Sequence, residues 1–295
     1  MSSFDSRFQR YISLTERQLE AVMDRLSADT SPYAKVLVDA MRYSLLSGGK
    51  RLRPVLMLAA YAAYHKDVEP ALPFAAGLEM IHTYSLIHDD LPCMDDDALR
   101  RGKPTNHMVY GEAMALLAGD GLLNLAFEVM AESGHPRAIG ALGAIATRSG
   151  SRGMIAGQTA DITLSHQTPD AEKVRYIHQH KTADLFHAAI SAGLILAGAD
   201  KSSLEAGGRY AGHLGTAFQI VDDLLDLQGD AAVLGKETHK DAQLGKITWP
   251  SLVGLEQAKA DAAKEISLAV EAASAIDGKQ GFLAELARRS LNRVQ

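Results

Sequence analysis

Five aspartates crowd one short stretch of this 295-residue chain. Residues 80–104 read MIHTYSLIHDDLPCMDDDALRRGKP, which sets Asp89, Asp90, Asp95, Asp96 and Asp97 just ahead of Arg100 and Arg101. Carboxylates at that density repel one another unless a divalent ion sits between them. An all-oxygen donor set suits a hard cation such as Mg²⁺, which keeps part of its water shell and bridges to substrate phosphates. The arginines then have a use, since a planar guanidinium grips phosphate oxygens in its fork. A second acidic set lies far downstream, at Asp222, Asp223 and Asp226. Asp222 and Asp226 are four apart, so on a helix they share a face and can share an ion. Either run alone reads as readily as solvated surface acid. Together they make chemical sense if the fold brings them face to face across a pocket.

Helices have to carry these residues. Ala and Leu dominate and β-branched runs are scarce, a balance that favours helix over strand. Residues 4–26 alternate Tyr11, Leu14, Leu19, Val22, Met23 and Leu26 with charges at helical spacing. Ser31-Pro32 is a cap and first-turn proline for a second helix, which should end where Gly48-Gly49 follows Ser47. Lys50, Arg51 and Arg53 come straight after that turn, in a loop held between the glycines and Pro54. Helices are then expected to about residue 64 and over 70–90, the latter delivering the first aspartates. Pro92 should break it, because proline lacks a donor and clashes with the preceding turn. On an unbroken helix Asp89 and Asp95 would point roughly 240° apart. A break lets the segment curl so that both face one site.

Further helices are expected over 109–130 and 137–158. Thr168-Pro169 should cap a long helix passing through Lys181-Thr182, and Ser202-x-x-Glu205 reads as a capping box for the helix bearing Asp222. A loop over 229–245 carries Lys236, with Lys246 just behind it, and two or three helices close the chain. No linker or fixed-period repeat divides the sequence. The expected architecture is all-α: one domain over residues 1–295, with about a dozen helices around a central cavity into which active groups project.

Composition narrows the class. Apolar residues make up 47 % of the chain, enough for a substantial core, and the net charge of −6 argues against a general nucleic-acid binder. The single cysteine, Cys93, rules out an internal disulfide framework and fits a reducing compartment. The N-terminal thirty residues carry charge throughout, unlike a signal peptide. No uninterrupted apolar run approaches the ~18–20 residues of a membrane span. A soluble, cytoplasmic protein is expected.

Gly-Gly-Lys-Arg-x-Arg-Pro, Asp-Asp-x4-Asp, Arg-Arg-Gly, Lys-Thr, Gln-x-x-Asp-Asp-x-x-Asp and a lysine-bearing loop follow one another between about residues 40 and 255. Each is weak alone, but their order and spacing are specific. In that order the chain resembles the trans-isoprenyl diphosphate synthases, most closely the bacterial farnesyl diphosphate synthase type. The resemblance implies an all-α bundle, usually a homodimer, and Mg²⁺ with three ions per site. It also implies a reaction: an allylic diphosphate ionises, isopentenyl diphosphate adds to the carbocation, and a proton is lost, with the released diphosphate as base. Carried onto matching positions, Asp89, Asp95, Asp222 and Asp226 hold metal. Lys50, Arg53, His82 and Arg101 meet isopentenyl diphosphate. Arg100, Lys181, Thr182, Gln219, Lys236 and Lys246 meet the allylic diphosphate.

Chain length is implied by Tyr84 and Ser85, five and four residues before Asp89. In the resembled family an aromatic there closes the product tunnel, favouring C15 over C20. On an ideal helix, however, Tyr84 lies ~7.5 Å along the axis from Asp89 and ~140° around it, so helix geometry alone does not make it a floor. Other readings differ in what they require. A geranylgeranyl diphosphate synthase shares the chemistry. A terpene cyclase has no need of a second diphosphate site, against the Lys50, Arg53 and His82 set. A silent partner subunit would have lost aspartates, and both sets are intact. His82 outside this pattern is an ordinary core histidine; His178, His180 and His187 read as surface or packing residues.

Overall fold

The computed structural model describes residues 3–164, 170–228 and 248–291. Apart from one two-stranded hairpin, its regular elements are helices. In chain order they are α1 (Ser3–Asp29), α2 (Lys35–Leu45), α3 (Leu52–Ala62) and α4 (Leu72–Asp89), then strands β1 (Leu99–Arg100) and β2 (Lys103–Pro104). There follow α5 (Asn106–Tyr110), α6 (Glu112–Ala131), α7 (Ala138–Ser149), α8 (Met154–Leu164) and α9 (Ala171–Ile177). A π-helical turn (His178–Ala183) leads into α10 (Asp184–Ala197), α11 (Lys201–Gln228), α12 (Trp249–Val253), α13 (Leu255–Ala273) and α14 (Phe282–Leu291).

The middle of the bundle is α3, α4 and α10, whose side chains are buried on every face. Helices apolar all round belong inside, with amphipathic ones around them. One continuous apolar core runs from Tyr11 of α1 through Phe74, Leu78 and Ile81 of α4 to Ala287 of α14. A smaller core packs Val221 and Leu224 of α11 on Trp249 and Ala258.

The structure refines several expected boundaries. The helix expected over 109–130 is two, parted at Gly111, whose φ of 84° a side chain would resist. That expected over 137–158 is also two, broken between Ser149 and Met154. The capping-box reading is wrong: Asp200, not Ser202, caps α11, its Oδ1 accepting from Ser203 N at 2.8 Å. Thr168-Pro169 lies outside the described residues, and Asp170 caps α9 by accepting from Glu172 N. Among the described residues one helix, α6, is long and apolar enough by length and composition to cross a membrane. Charges at Asp120 and Glu128 interrupt its apolar run, and it packs Leu122, Leu125 and Val129 into the core.

Candidate active site

The first aspartate stretch curls as proline chemistry requires. α4 ends at Asp89, three residues short of Pro92. The chain then doubles back: Asp95 N donates to Asp89 O at 2.9 Å, Asp96 N to Leu91 O at 3.2 Å and Asp97 N to Asp90 O at 3.2 Å. Asp95 is thereby returned to Asp89. The hairpin that follows, absent from the sequence reading, turns through Arg101 and Gly102. It aims Arg100 back at the buried Asp90, with Nε donating at 2.8 and 2.9 Å and Nη2 at 2.6 Å.

Arg101 reaches the other way, its guanidinium donating to Gly48 O. A Cβ on Gly49 would overlap that guanidinium, so only glycine lets Arg101 lie against this turn. Arg51 is the cation the sequence reading passed over. It is buried, paired with Glu79 of α4 at 2.8 Å and bonded to Leu45 O at 2.9 Å. That anchor staples the loop to the core. Among the described residues, the only non-glycine residues at positive φ are Arg51, Asp96 and Arg101, all in these two loops. Such backbone costs ~1–3 kcal/mol each and persists where surrounding contacts enforce it.

A cavity of ≈ 430 Å³ lies between α4 and the π-turn. Arg53, His82, Tyr84, Ser85 and Asp89 line it from one side, Gln158, Lys181 and Thr182 from the other. Burial lowers Arg53 to about 10, opposed by the charges of Glu79 and Asp222. Asp222, on α11, is therefore close enough to act on the Arg53 guanidinium, which lies over the Phe186 ring at 5.2 Å. Burial and the Arg53 and Arg101 charges hold His82 well below its ordinary range, so it is a neutral donor or acceptor. Burial raises Asp89 to about 6; Lys181 opposes that shift and Asp95 reinforces it. Gln158 Nε2 donates to Asp89 Oδ1 at 2.7 Å, a contact no motif announced.

Lys181 and Thr182 sit in the π-turn, a geometry frequent at functional sites because the extra residue re-aims side chains. Gly157 of α8 packs against its backbone, and a Cβ there would collide with Lys181 N. Lys181 Nζ donates to Asp161 Oδ2 at 2.5 Å. Thr182 Oγ1 donates to Gln219 Oε1 at 2.7 Å, and Gln219 Nε2 to Asp223 Oδ1 at 2.9 Å. Asp223 Oδ2 also accepts from Trp249 N at 2.9 Å and lies 3.2 Å from His178 Nε2. His178 is thus buried against a carboxylate, and His180 Nδ1 lies 2.7 Å from Asp184 Oδ2; neither is a plain surface residue. Asp226 is buried one turn beyond Asp222. Lys236 and Lys246 lie outside the described residues.

Tyr84 is 6 % exposed and shares the cavity with Asp89, so the cavity reaches around the helix where an axial projection would not. Burial, then the Asp89 charge, pushes its hydroxyl up to about 12. Its ring meets His88 edge-on, centroids 5.7 Å apart. Ser85 Oγ is turned away to His82 O at 2.9 Å.

The donor set fits Mg²⁺ in a particular way. Asp89 feels repulsion from Asp95 and Asp90, which a divalent ion would relieve. Among the described residues no three acidic, imidazole or thiol groups converge tightly enough to hold an ion by themselves. Carboxylates on separate walls suit an ion that completes its shell with water and ligand oxygens.

Comparison with known proteins gives the family. Residues 34–284 match the polyprenyl synthetase family model. The chain is 43 % identical over 270 residues to a farnesyl diphosphate synthase of Geobacillus stearothermophilus, covering 90 % of this chain and 89 % of that one. It is 44 % identical over 262 residues to a chloroplastic geranylgeranyl pyrophosphate synthase of Capsicum annuum, covering 87 % and 70 %. Among solved structures, an FPP/GFPP synthase from Zymomonas mobilis superposes with a TM-score of 0.86 at 35 % identity, over 97 % of this chain and 98 % of that one. By the family match, and with Arg53, His82, Asp89, Lys181 and Thr182 lining one cavity of a helical bundle, the chain belongs to the polyprenyl synthetase family of prenyltransferases.

Proposed function

We propose that this chain is a farnesyl diphosphate synthase, joining isopentenyl diphosphate to dimethylallyl and then geranyl diphosphate. The observation that carries the reading is one cavity lined by Asp89, Lys181 and the buried Tyr84 ring together. Lys181, Thr182 and Arg100 hold the allylic diphosphate; Lys50, Arg53, Arg101 and the neutral His82 hold isopentenyl diphosphate. Asp89, Asp95, Asp222 and Asp226 would hold Mg²⁺, three ions by family resemblance, and the metal would supply charge that neutralises the leaving diphosphate. Gln158 orients Asp89. Met94, Met154 and Leu185 line the cavity as well and keep water from the carbocation. Tyr84 ends the tunnel at C15.

The chain acts as one domain, cytoplasmic, and as a homodimer. The exposed Leu116 and Leu117 of α6, with Met108 and Val109 beside them in sequence, offer the apolar surface a dimer needs. Incubation with isopentenyl diphosphate and each allylic primer, with Mg²⁺ or with chelator, tests the whole reading. A Mg²⁺-dependent C15 diphosphate is expected. A C20 product would keep the chemistry and overturn the length, and no condensation would overturn both. Asp89→Ala and Asp222→Ala should each abolish turnover while keeping the helical circular-dichroism spectrum; an active variant would refute its metal role.

A further inference from the structure

The π-turn borders two cavities. Lys181 and Thr182 line the first; His178, Gln179 and Ala183 line a second, of ≈ 560 Å³, which also reaches α7, α11, α12 and α13. None of the residues assigned above to substrate or metal lines the second cavity. Its size falls within the ~300–1,000 Å³ of small-molecule sites.

The charges around this cavity are asymmetric in what they leave unused. Every carboxylate is already engaged. Asp184 accepts from Arg148 Nη1 at 2.6 Å and lies 2.7 Å from His180 Nδ1. Glu265 lies 2.6 Å from His213 Nδ1, and Asp261 accepts from Trp249 Nε1 at 2.8 Å and Gln257 Nε2 at 2.9 Å. The cations are not so committed. Among the described residues Arg209 and Lys264 have no carboxylate partner, and Arg175 lies only over the Trp249 ring, 5.0 Å from its centroid. The unpaired charge is therefore all cationic, beside the neutral Gln179 and Thr216 and apolar surface from Ile220 and Trp249.

A wall of this cavity is also wired to the first. Trp249 N and His178 Nε2 both approach Asp223 Oδ2, whose other oxygen accepts from Gln219, which in turn accepts from Thr182. An anion that draws on Arg175 over Trp249 moves one end of this chain of bonds; Thr182 is the other.

We propose that the second cavity is an anion site for a small phosphate-bearing molecule, held by Arg175, Arg209 and Lys264, and that its occupancy is felt at Thr182 through Asp223. The anion site does not rest on the prenyl chemistry; the coupling to Thr182 rests on the proposed allylic site.

Trp249 is the only tryptophan of the chain and lines this cavity, so its fluorescence reports on it, and the variants below separate that response from one relayed from the first cavity. Inorganic phosphate and, separately, diphosphate are titrated into the full chain in chelator, at ionic strength held constant with chloride. A saturable change in fluorescence is expected. Arg209→Ala with Lys264→Ala, both at exposed positions, should weaken it about tenfold or more, the loss expected for charged hydrogen bonds. Gly212→Leu tests the volume without removing charge, because a Cβ at Gly212 meets only open space, and it should abolish the response. A response that does not saturate, or that survives unchanged in both variants, overturns the site. Coupling is read separately with Mg²⁺ and substrates: phosphate should change the allylic KM of the unaltered chain more than that of the Arg209/Lys264 variant. Equal effects in the two would mean competition at the first cavity only and overturn the coupling. Neither failure touches the product analysis that tests the prenyltransferase reading.

Discussion

Replacing Tyr84 by alanine should lengthen the product. Tyr84 is buried, yet it lines the cavity that holds Asp89. Behind it, one turn toward the N-terminus of α4, Met80 and Ile81 are fully buried. Removing the phenol therefore deepens the tunnel by at most about one turn, ~5.4 Å, comparable with one further prenyl unit. The stability loss follows from the same geometry. Truncating a buried aromatic costs ~3–5 kcal/mol, and the low end applies because one side of the ring already faces a cavity. The lost edge-on contact with His88 accounts for ~0.5–1.5 kcal/mol of that. The assay is chromatography of dephosphorylated products at excess isopentenyl diphosphate, beside urea unfolding. C20 is expected from Tyr84→Ala, and C15 from Tyr84→Phe, which keeps the ring. A C15 product from the alanine variant would refute the floor, and a C20 product from the phenylalanine variant would show that the hydroxyl, not ring volume, sets it.

Other perturbations probe the scaffold behind the cavity. Glu79→Ala leaves the Arg51 guanidinium, 1 % exposed, without its partner, and should cost ~3–5 kcal/mol in denaturant unfolding; a loss below ~1 kcal/mol would mean that Glu16, 3.8 Å away, takes over. Gly157→Ala drives a methyl into the Lys181 backbone, so it should destabilise by ~1–3 kcal/mol and raise the allylic KM more than that for isopentenyl diphosphate. Equal changes in the two KM values would detach the π-turn from allylic binding. The Tyr84 hydroxyl, raised to about 12 by burial and Asp89, keeps its proton where the unfolded chain has lost it. Its contribution is thus fully present below pH 10.0 and lost as pH rises toward 12. Urea midpoints should fall less for Tyr84→Phe than for the unaltered chain between about pH 9 and about pH 11; parallel falls would refute the assignment.

Much of the candidate site is legible in the sequence because local chemistry dictates it. Pro92 cannot continue a helix, so a break between Asp89 and Asp95 follows from covalent structure, and the observed curl is its consequence. Carboxylates crowded beside arginines demand cations and anions respectively, whatever the fold. An Ala- and Leu-rich chain without β-branched runs has little choice but helices, and most of those expected are present within a few residues of their bounds. Local rules also explain the misses. Gly111 and the break before Met154 cut helices that apolar periodicity had joined, because periodicity does not register a single backbone conformation.

What tertiary structure alone decides is which of several chemically equal residues goes where. Arg51 and Arg53 are two residues apart and identical in type, yet Arg51 is spent on Glu79 inside the core while Arg53 lines the cavity. Asp89 and Asp90 are neighbours, but the turn of α4 gives one to the cavity and the other to Arg100. Gln158 and His178 carry no motif; their partners, Asp89 and Asp223, are 69 and 45 residues distant in sequence. Residue type and spacing state what chemistry a chain can do. Assigning it to particular atoms requires knowing which helix faces meet, and that depends on packing distributed over the whole core rather than on any local stretch.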